Sequence, residues 1–390
     1  MLDFVAQAHV NYSYESRFRA LIPKSKNATT QTIRGAVAES FTMLPRGCTI
    51  SMDKLAREYI MSNIKSAIFN LRRLVQEVRM FSVNSDKPLT LSTFLSQFDL
   101  DIRTIYKTRC WTALLREAGM LNYAQDEFTR VFERNMSRLI HVNSISYLGF
   151  IRHLLDNGFE YEHTTKNDTL ALMLYYDLFA KSIDVYGFGS INEGLKKFGS
   201  YPLFVDELKQ MVQYLSEHLM ISTKPIVELG ADNVLELFGC YTREEQLAIF
   251  GKRTAERAGA IPQSGVFSLD DINTELLWVT LNKSDKDFSP STQYEDYAIN
   301  EALFNWQSQN SASHQNSGRR YVEQRTNGRK FLLFVRESKV DAYGFTSPYY
   351  CLGLVDYVKS HGDKPMTITW AMQHQIPGFI LDKAQKMAVG

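Results

Sequence analysis

Residues 288–321 concentrate side chains that can contact nucleic-acid bases and phosphates. Glutamine amides can donate and accept hydrogen bonds at a base edge, aromatic rings can stack on bases, and guanidinium groups can hold phosphates. Arg336 lies further along the chain and can hold a flanking phosphate. The candidate nucleic-acid-binding residues are Tyr294, Trp306, Gln307, Gln309, Arg319, Arg320, Tyr321 and Arg336.

The same residues also allow a purely structural interpretation. Trp306 can fill a hydrophobic core, the glutamines can satisfy backbone groups in loops, and the arginines can form the solvated face of a hairpin. Residues 314–330 carry one acidic residue, Glu323, against a basic set made of Arg319, Arg320, Arg325, Arg329 and Lys330. The sequence leaves both interpretations open.

Common catalytic motifs are missing from the sequence. It contains no Walker-type phosphate-binding loop, no HxK pair of the phospholipase-D type and no His or Cys cluster suited to zinc. We therefore expect no catalytic residue, metal or cofactor in this chain. An alternative is a metal-dependent nuclease, because such a centre needs acidic residues ahead of a lysine near a strand. Its candidate residues are Asp270, Asp271, Glu275 and Lys283.

Residues 89–119 predict short helices around a turn, which resemble a helix-turn-helix only loosely. A structural helical pair is the favoured interpretation. The basic side chains expected on its surface are Arg103, Lys107, Arg109 and Arg116. The lone histidines His361 and His374 are expected at ordinary surface or core positions.

The composition is that of a folded protein with more than one domain, since 44% of its 390 residues are hydrophobic and 22% are charged. The net charge of +1 means that attraction to nucleic acid must come from local patches. No apolar run is long enough to span a membrane, and residues 1–20 are too polar for a signal peptide. We therefore expect a cytoplasmic protein without a membrane partner, with its widely spaced cysteines as free thiols.

Hydrophobic spacing predicts an α+β protein. Steps of three and four residues predict a long helix over 53–78 and further helices at 91–98, 111–119, 128–132, 148–155, 170–179 and 203–219. Short β-branched and aromatic runs predict strands at 276–282, 330–335, 349–355 and 366–372. The turn at 360–365 predicts a hairpin between the last two strands.

The C-terminal part resembles the family called domain-of-unknown-function 3427. The resemblance is carried by residues 280–311, 318–321, 332–337 and 352–370, which contain FNWQSQNS, GRRY and LGLVDYVKSHGDKPMTITW. Asn305 stands where the family pattern has a histidine. Residues 2–12 look like the exit of the second motor lobe of a superfamily-2 helicase, whose motor is absent from this sequence.

Proteins with this domain carry a phospholipase-D-type nuclease and a helicase ahead of it, and some are similar to ATP-dependent restriction enzymes that cut DNA containing modified cytosine. The resemblance implies that this chain is the non-catalytic target-recognition region of such a defence enzyme. ATP and Mg²⁺ would serve only the helicase part. The implied partners are double-stranded DNA and the helicase and nuclease domains, whereas a homodimer is the partner expected of the coupler alternative given below.

We therefore expect a helicase exit segment at 1–22, a linker at 23–50, a helical coupler at 51–254 and a mixed β-rich DNA-recognition domain at 255–390. A barrel like that of SRA or PUA domains is one arrangement for these strands. Extruding a modified base costs a few kcal/mol, which aromatic stacking and hydrogen bonds to the base edge can offset. The alternative is a structural coupler that self-associates or docks the nuclease on the motor without reading bases.

Overall fold

The computed structural model describes residues 36, 37, 57, 60, 61, 69–281 and 296–384. The predicted exit segment, most of the predicted linker, Tyr294 and Lys283 lie outside the described residues. The chain divides into two compact units. The N-terminal unit comprises Met1–Ser137 with Val340–Phe345, and the C-terminal unit comprises Arg138–Lys339 with Thr346–Gly390. The boundaries predicted from the sequence stay predictions.

The described part of the N-terminal unit is helical. Its elements are α1 (Leu71–Asn84), α2 (Leu91–Phe98), α3 (Ile102–Tyr106), α4 (Trp111–Glu117) and α5 (Glu127–Asn135). The continuous helix predicted over 53–78 is wrong, because a new helix begins at Leu71. The Asn70 side chain accepts a hydrogen bond from the Arg73 amide, as an N-cap residue does, and its own backbone is extended. Hydrophobic spacing alone does not reveal such an interruption.

The three arginines among the basic residues predicted at 89–119 form ion pairs within the N-terminal unit. Arg103 lies 2.6 Å from Asp101 and 3.4 Å from Asp341, and its guanidinium stands 4.8 Å from the centre of the Tyr343 ring. Two further arginines are paired at 2.8 and 2.5 Å, as Arg109–Glu117 and Arg116–Glu133. These contacts favour the structural interpretation of this helical pair.

The helices of the C-terminal unit begin with α6 (Ile145–Asp156) and α7 (Thr165–Phe179). They continue with α8 (Ile183–Tyr186), α9 (Ile191–Gly199), α10 (Pro202–Glu217), α11 (Arg243–Ile249), α12 (Arg319–Val322), α13 (Gln324–Asn327) and α14 (Gly378–Ala384). The longer helices α6, α7 and α10 confirm the predictions, whereas the short α8, α9 and α11 were not predicted. No helix in the described ranges is long and apolar enough to cross a membrane.

The described C-terminal unit also contains a mixed, eight-stranded sheet. Its strands are β3 (Cys240–Tyr241), β4 (Val266–Leu269), β5 (Thr274–Thr280), β6 (Tyr297–Ala298), β7 (Leu303–Gln307), β8 (Lys330–Arg336), β9 (Tyr349–His361) and β10 (Thr367–Met372). A separate antiparallel pair joins β1 (Lys224–Pro225) to β2 (Glu236–Leu237). The four predicted strands are present, and β9 and β10 form the predicted hairpin.

The strand order is β4-β5-β8-β9-β10-β7-β6, and β3 pairs with β9. The β5 and β8 strands are parallel, and the other paired strands are antiparallel. The path ends at β4 and β6, which do not pair with each other among the described residues. The α+β class is therefore confirmed, but the strands form an open sheet and not the barrel suggested by SRA and PUA domains.

Both faces of the sheet are covered, which buries β5 along its whole length. On one face Leu277 and Val279 belong to a hydrophobic cluster that also holds Trp306 and Trp370, here called the main core. On the opposite face the Trp278 indole nitrogen donates to Gln246 Oε1 in α11 at 2.7 Å. Strands buried on both faces lose the alternation of apolar and polar residues. The apolar run at 276–282 follows from this packing.

Buried charges join the helices of the C-terminal unit. The His141 ring lies 2.9 Å from Glu245 Oε2, and the Tyr147 hydroxyl donates to Asp177 Oδ2 at 2.8 Å. Burial disfavours both charged forms of the first pair, but their mutual attraction prevails, raising the pKa of His141 and lowering that of Glu245. Burial and the nearby Glu245 charge raise the pKa of Asp177 well above its usual range. Asp177 is thus a proton-binding site of the folded state.

Replacing Asp177 with Asn tests this assignment. A carboxyl with a raised native pKa binds more protons folded than unfolded, so its contribution to stability falls as pH rises above its ordinary value of 3.8. Asn keeps an acceptor for Tyr147 and cannot titrate. The stability of Asp177→Asn relative to the native protein should therefore increase with pH, by up to about 1.4 kcal/mol per pH unit. Urea unfolding at several pH values measures the difference, and a constant difference contradicts the assignment.

Candidate nucleic-acid interface

The segment that follows β7 lies on the turn of the β9–β10 hairpin, and main-chain hydrogen bonds hold it there. The Ser308 amide donates to the Met366 carbonyl at 2.9 Å, and the Lys364 amide donates to the Ala312 carbonyl at 3.0 Å. Gly318 permits this close packing, because a Cβ atom there would lie 2.6 Å from the Ser313 carbonyl oxygen. Residues 309–319 and 359–365 together form what we call the loop–turn surface.

The loop–turn surface carries exposed basic and polar side chains. Lys359 and Lys364 are exposed and have no ion pair among the described residues. Arg319, 67% exposed, lies 2.6 Å from Glu323. The other exposed polar side chains are Asn310, Ser311, His314, Gln315, Asn316, Ser317, His361 and one acidic residue, Asp363. Such a mixture of cations, amides and hydroxyls can contact phosphates and base edges.

His314 connects the two parts of this surface. Its Nε2 lies 3.2 Å from Ser360 Oγ, and its Nδ1 lies 3.7 Å from Asp363 Oδ1. The His314 amide also donates to the Asp363 carboxylate at 3.2 Å. These contacts add side-chain support to the main-chain hydrogen bonds between loop and turn.

The aromatic residues of the predicted site lie below the surface. Trp306 is 3% exposed and Tyr321 is fully buried, and both belong to the main core. The Trp306 ring centre is 5.3 Å from that of Tyr321 and 6.2 Å from that of Trp370. In β7, Trp306 pairs with Ile368 of β10. The structure therefore gives Trp306 the core position that the sequence left open, and its ring offers no stacking face to solvent.

A buried ion cluster ties the α12–α13 segment to β5. The Glu275 side chain is fully buried, and its Oε1 lies 2.8 Å from Arg320 Nε and 2.7 Å from Arg329 Nε. Arg329 also lies 2.6 Å from Asp270. Both contacts of Glu275 are ion pairs and not hydrogen bonds, because the N–H bonds of Arg320 Nε and Arg329 Nε do not point at the carboxylate oxygen. Burial raises the pKa of Glu275, and the charges of both arginines oppose this rise.

A second contact of Arg320 leads outward to the loop. Its Nη2 donates to the Tyr321 hydroxyl at 3.2 Å, and this hydroxyl donates to Gln309 Oε1 at 3.0 Å. Arg320 is about one-third exposed, at 32%. Arg320, Tyr321 and Gln309 are thus brought together, and the chain of contacts begins at the buried carboxylate of Glu275.

Other predicted site residues lie elsewhere. Arg336 is on the sheet face opposite the main core, since neighbouring Val335 points into that core and side chains alternate along a strand. Its guanidinium stands 4.4 Å from the Tyr349 ring centre and donates to the Ser347 carbonyl at 3.2 Å. Gln307 is half-buried, and its backbone amide donates to Asp296 at 2.9 Å. Tyr294 lies outside the described residues.

The acidic residues of the nuclease alternative are paired with basic side chains. Asp271 lies 2.8 Å from Lys252, while Asp270 and Glu275 face Arg329. The neighbouring cations lower the pKa values of Asp270 and Asp271. Within the ranges that the structure describes, no group of His, Cys, Asp or Glu side chains could hold a metal ion.

Sequence reasoning missed Glu275 as the partner of Arg320 and Arg329, and it missed the exposed Lys359 and Lys364. One signal was available for Glu275, because it directly precedes the apolar run at 276–282. An acidic residue at the start of a strand with two buried faces needs a positive partner. The identity of that partner depends on the tertiary fold.

Comparisons with known proteins match only part of the chain. Residues 235–384 match the family described as "Domain of unknown function (DUF3427)". The match runs from just before β2 to the end of α14, so it includes the whole described sheet. It supports a domain of this family over these residues. No curated protein and no solved structure matches the chain.

Replacing Glu275 with Leu tests the buried ion cluster. The variant leaves Arg320 and Arg329 without their buried counter-charge, and we expect a loss of stability on the order of 3–5 kcal/mol. Unfolding can be followed by tryptophan fluorescence, since Trp278, Trp306 and Trp370 all lie in the C-terminal unit. Glu323→Gln is the matched control, because it removes the exposed partner of Arg319 and should change stability little. Equal stability of both variants would show that the cluster does not anchor this segment.

Proposed function

We propose that this chain is the DNA-recognition and coupling region of a helicase–nuclease restriction enzyme and that it binds double-stranded DNA through the loop–turn surface. The observation that carries the proposal is the placement of Arg319, Lys359 and Lys364 on one surface whose two parts are joined by hydrogen bonds. Phosphate contacts from such cations supply affinity, and a fixed backbone keeps the reading side chains in register. The chain itself contributes binding and no catalysis.

The resemblance to the family supplies the expected target, which is DNA carrying modified cytosine. Because Trp306 and Tyr321 are core residues, base readout falls to polar side chains around Gln309. Arg319 and Arg320 keep their proposed role beside the phosphates, since both are partly exposed. ATP and Mg²⁺ belong to the helicase part of the proposed enzyme, and the helicase and nuclease domains are its proposed partners.

A second candidate function is a structural coupler without base readout. It is favoured by the intramolecular partners of several residues first assigned to DNA. Trp306 and Tyr321 fill the main core, and Arg336 contacts Thr280, Ser347 and Tyr349. A coupler would bind DNA weakly or not at all and could form a homodimer.

The salt dependence of DNA binding separates the two candidates. The full chain should bind a mixed-sequence duplex with an affinity that falls steeply as salt rises. Replacing Lys359 and Lys364 together with Gln should reduce the slope of log K against log salt by about two, roughly one for each lost phosphate contact. Fluorescence anisotropy at several salt concentrations gives these slopes, and a duplex with modified cytosine should bind more tightly than its unmodified counterpart.

The double variant Lys181→Gln/Lys209→Gln is the control, because it removes the same charge from exposed positions near α7 and in α10. Its slope should equal that of the native chain. If both double variants change the slope equally, the positive charge acts without regard to position and the loop–turn surface is not the binding site. If the native chain binds no duplex while sizing shows self-association, the coupler is supported instead.

A further inference from the structure

The hydrogen bonds that link Arg320, Tyr321 and Gln309 run outward from the guanidinium group. A guanidinium group donates hydrogen bonds and cannot accept them. The Tyr321 oxygen therefore accepts from Arg320 Nη2, at 3.2 Å. The buried hydroxyl proton of Tyr321 in turn needs an acceptor, and the one that it meets among the described residues is Gln309 Oε1, 3.0 Å away.

This direction fixes the orientation of the Gln309 amide. The oxygen and nitrogen of a glutamine amide are assigned from the hydrogen-bond network around them. Here a donor faces the amide, so the atom toward Tyr321 must be the oxygen. The other end is the NH₂ group, which carries two donors and has no partner among the described residues. Gln309 is half-buried within the loop–turn surface, where a ligand can reach it.

The start of the chain of contacts is equally constrained. Glu275 is fully buried and holds Arg320 Nε at 2.8 Å, so it limits the rotation of the guanidinium. Tyr321 is fixed by the rings of Trp306, Phe331 and Trp370 around it. The Gln309 side chain is therefore held at its oxygen by a hydroxyl group whose own position is fixed.

A preoriented donor selects among base edges in the major groove. Guanine presents two adjacent acceptors, N7 and O6, which match the two donors of an NH₂ group; adenine presents one acceptor beside a donor, thymine one acceptor beside a methyl group, and cytosine a donor. The usual pairing of glutamine with adenine uses the amide oxygen as well as the nitrogen. In this structure the oxygen already accepts from Tyr321 and is held toward the protein.

We propose that Gln309 is a specificity-determining residue that reads the acceptor edge of guanine, and that Arg320 and Tyr321 are positioning residues that keep its NH₂ group turned outward. The inference rests on the proposed binding of DNA by the loop–turn surface. It adds a named contact and a base preference to that proposal.

The test uses the full chain and duplexes that differ in one acceptor. One mixed-sequence duplex carries 7-deazaguanine in place of guanine, and a second carries 7-deazaadenine in place of adenine. The native chain should bind the first on the order of tenfold more weakly than the unmodified duplex, because the N7 acceptor is lost. Its affinity for the second should stay close to that for the unmodified duplex.

Gln309→Glu is the sharpest variant, because Glu keeps an oxygen for the Tyr321 hydroxyl and lacks the donors, while its added negative charge weakens binding to the unmodified and the 7-deazaguanine duplex alike. It should lose the sensitivity to 7-deazaguanine. Tyr321→Phe keeps the buried ring and removes only the hydroxyl, so it should reduce the sensitivity while the salt slope stays that of the native chain. A cooperative urea-unfolding transition, followed by tryptophan fluorescence as for the native chain, confirms that both variants keep the fold.

The outcomes distinguish the two levels of the proposal. If no duplex binds, or if binding does not depend on salt, the proposed function fails. If binding depends on salt and is insensitive to 7-deazaguanine, DNA binding stands and the role of Gln309 is overturned. Sensitivity that persists in Gln309→Glu also overturns it. If Tyr321→Phe changes the salt slope and the sensitivity together, its hydroxyl supports the surface generally and does not position Gln309.

Discussion

The buried carboxylate of Glu275 is the constraint on which the arrangement of the C-terminal unit depends. A charge in this position is costly to bury unless positive partners meet it, and removing a partner leaves that cost uncompensated. Arg320 meets it from α12 and Arg329 from the turn that follows α13, so this segment cannot leave β5 without exposing or stranding a charge. The guanidinium group suits the role because it remains charged when partly buried.

This anchoring separates the hydrophobic and polar parts of the same stretch of sequence. Tyr321 is held in the main core with Trp306 and Trp370, while the loop just before it is fastened to the β9–β10 turn. The aromatic rings provide the packing that holds the sheet in place, and the exposed lysines and amides provide a surface for a charged partner. A segment that looks like a uniform binding motif in the sequence therefore has two physical roles.

The sequence predicted the elements whose signals are local. The runs around Leu277, Leu333, Leu352 and Ile368 are apolar enough to identify four strands. The strand β7 was missed because Asn305 and Gln307 interrupt its apolar pattern, and the short β6 has no pattern at all. The helix break at Asn70 was missed because apolar spacing continues across it.

The candidate site could be predicted only in part for the same reason. The residue types at positions 309, 319 and 320 indicated contact with nucleic acid, but the orientation of these side chains depends on partners far away in the sequence. The alternatives for Trp306 depended on which sheet face it occupies, and this follows from its pairing with Ile368. The partner of Arg320 is a glutamate on a strand that precedes it by several elements. No local pattern encodes such a pair.

Hydrogen–deuterium exchange of the full chain, with and without a duplex that contains modified cytosine, tests the central claim most directly. Binding through the loop–turn surface predicts slower exchange at the amides of residues 309–319 and 359–365, with little change in α7 and α10. A bound duplex that leaves these amides unprotected and protects another region would contradict the claim.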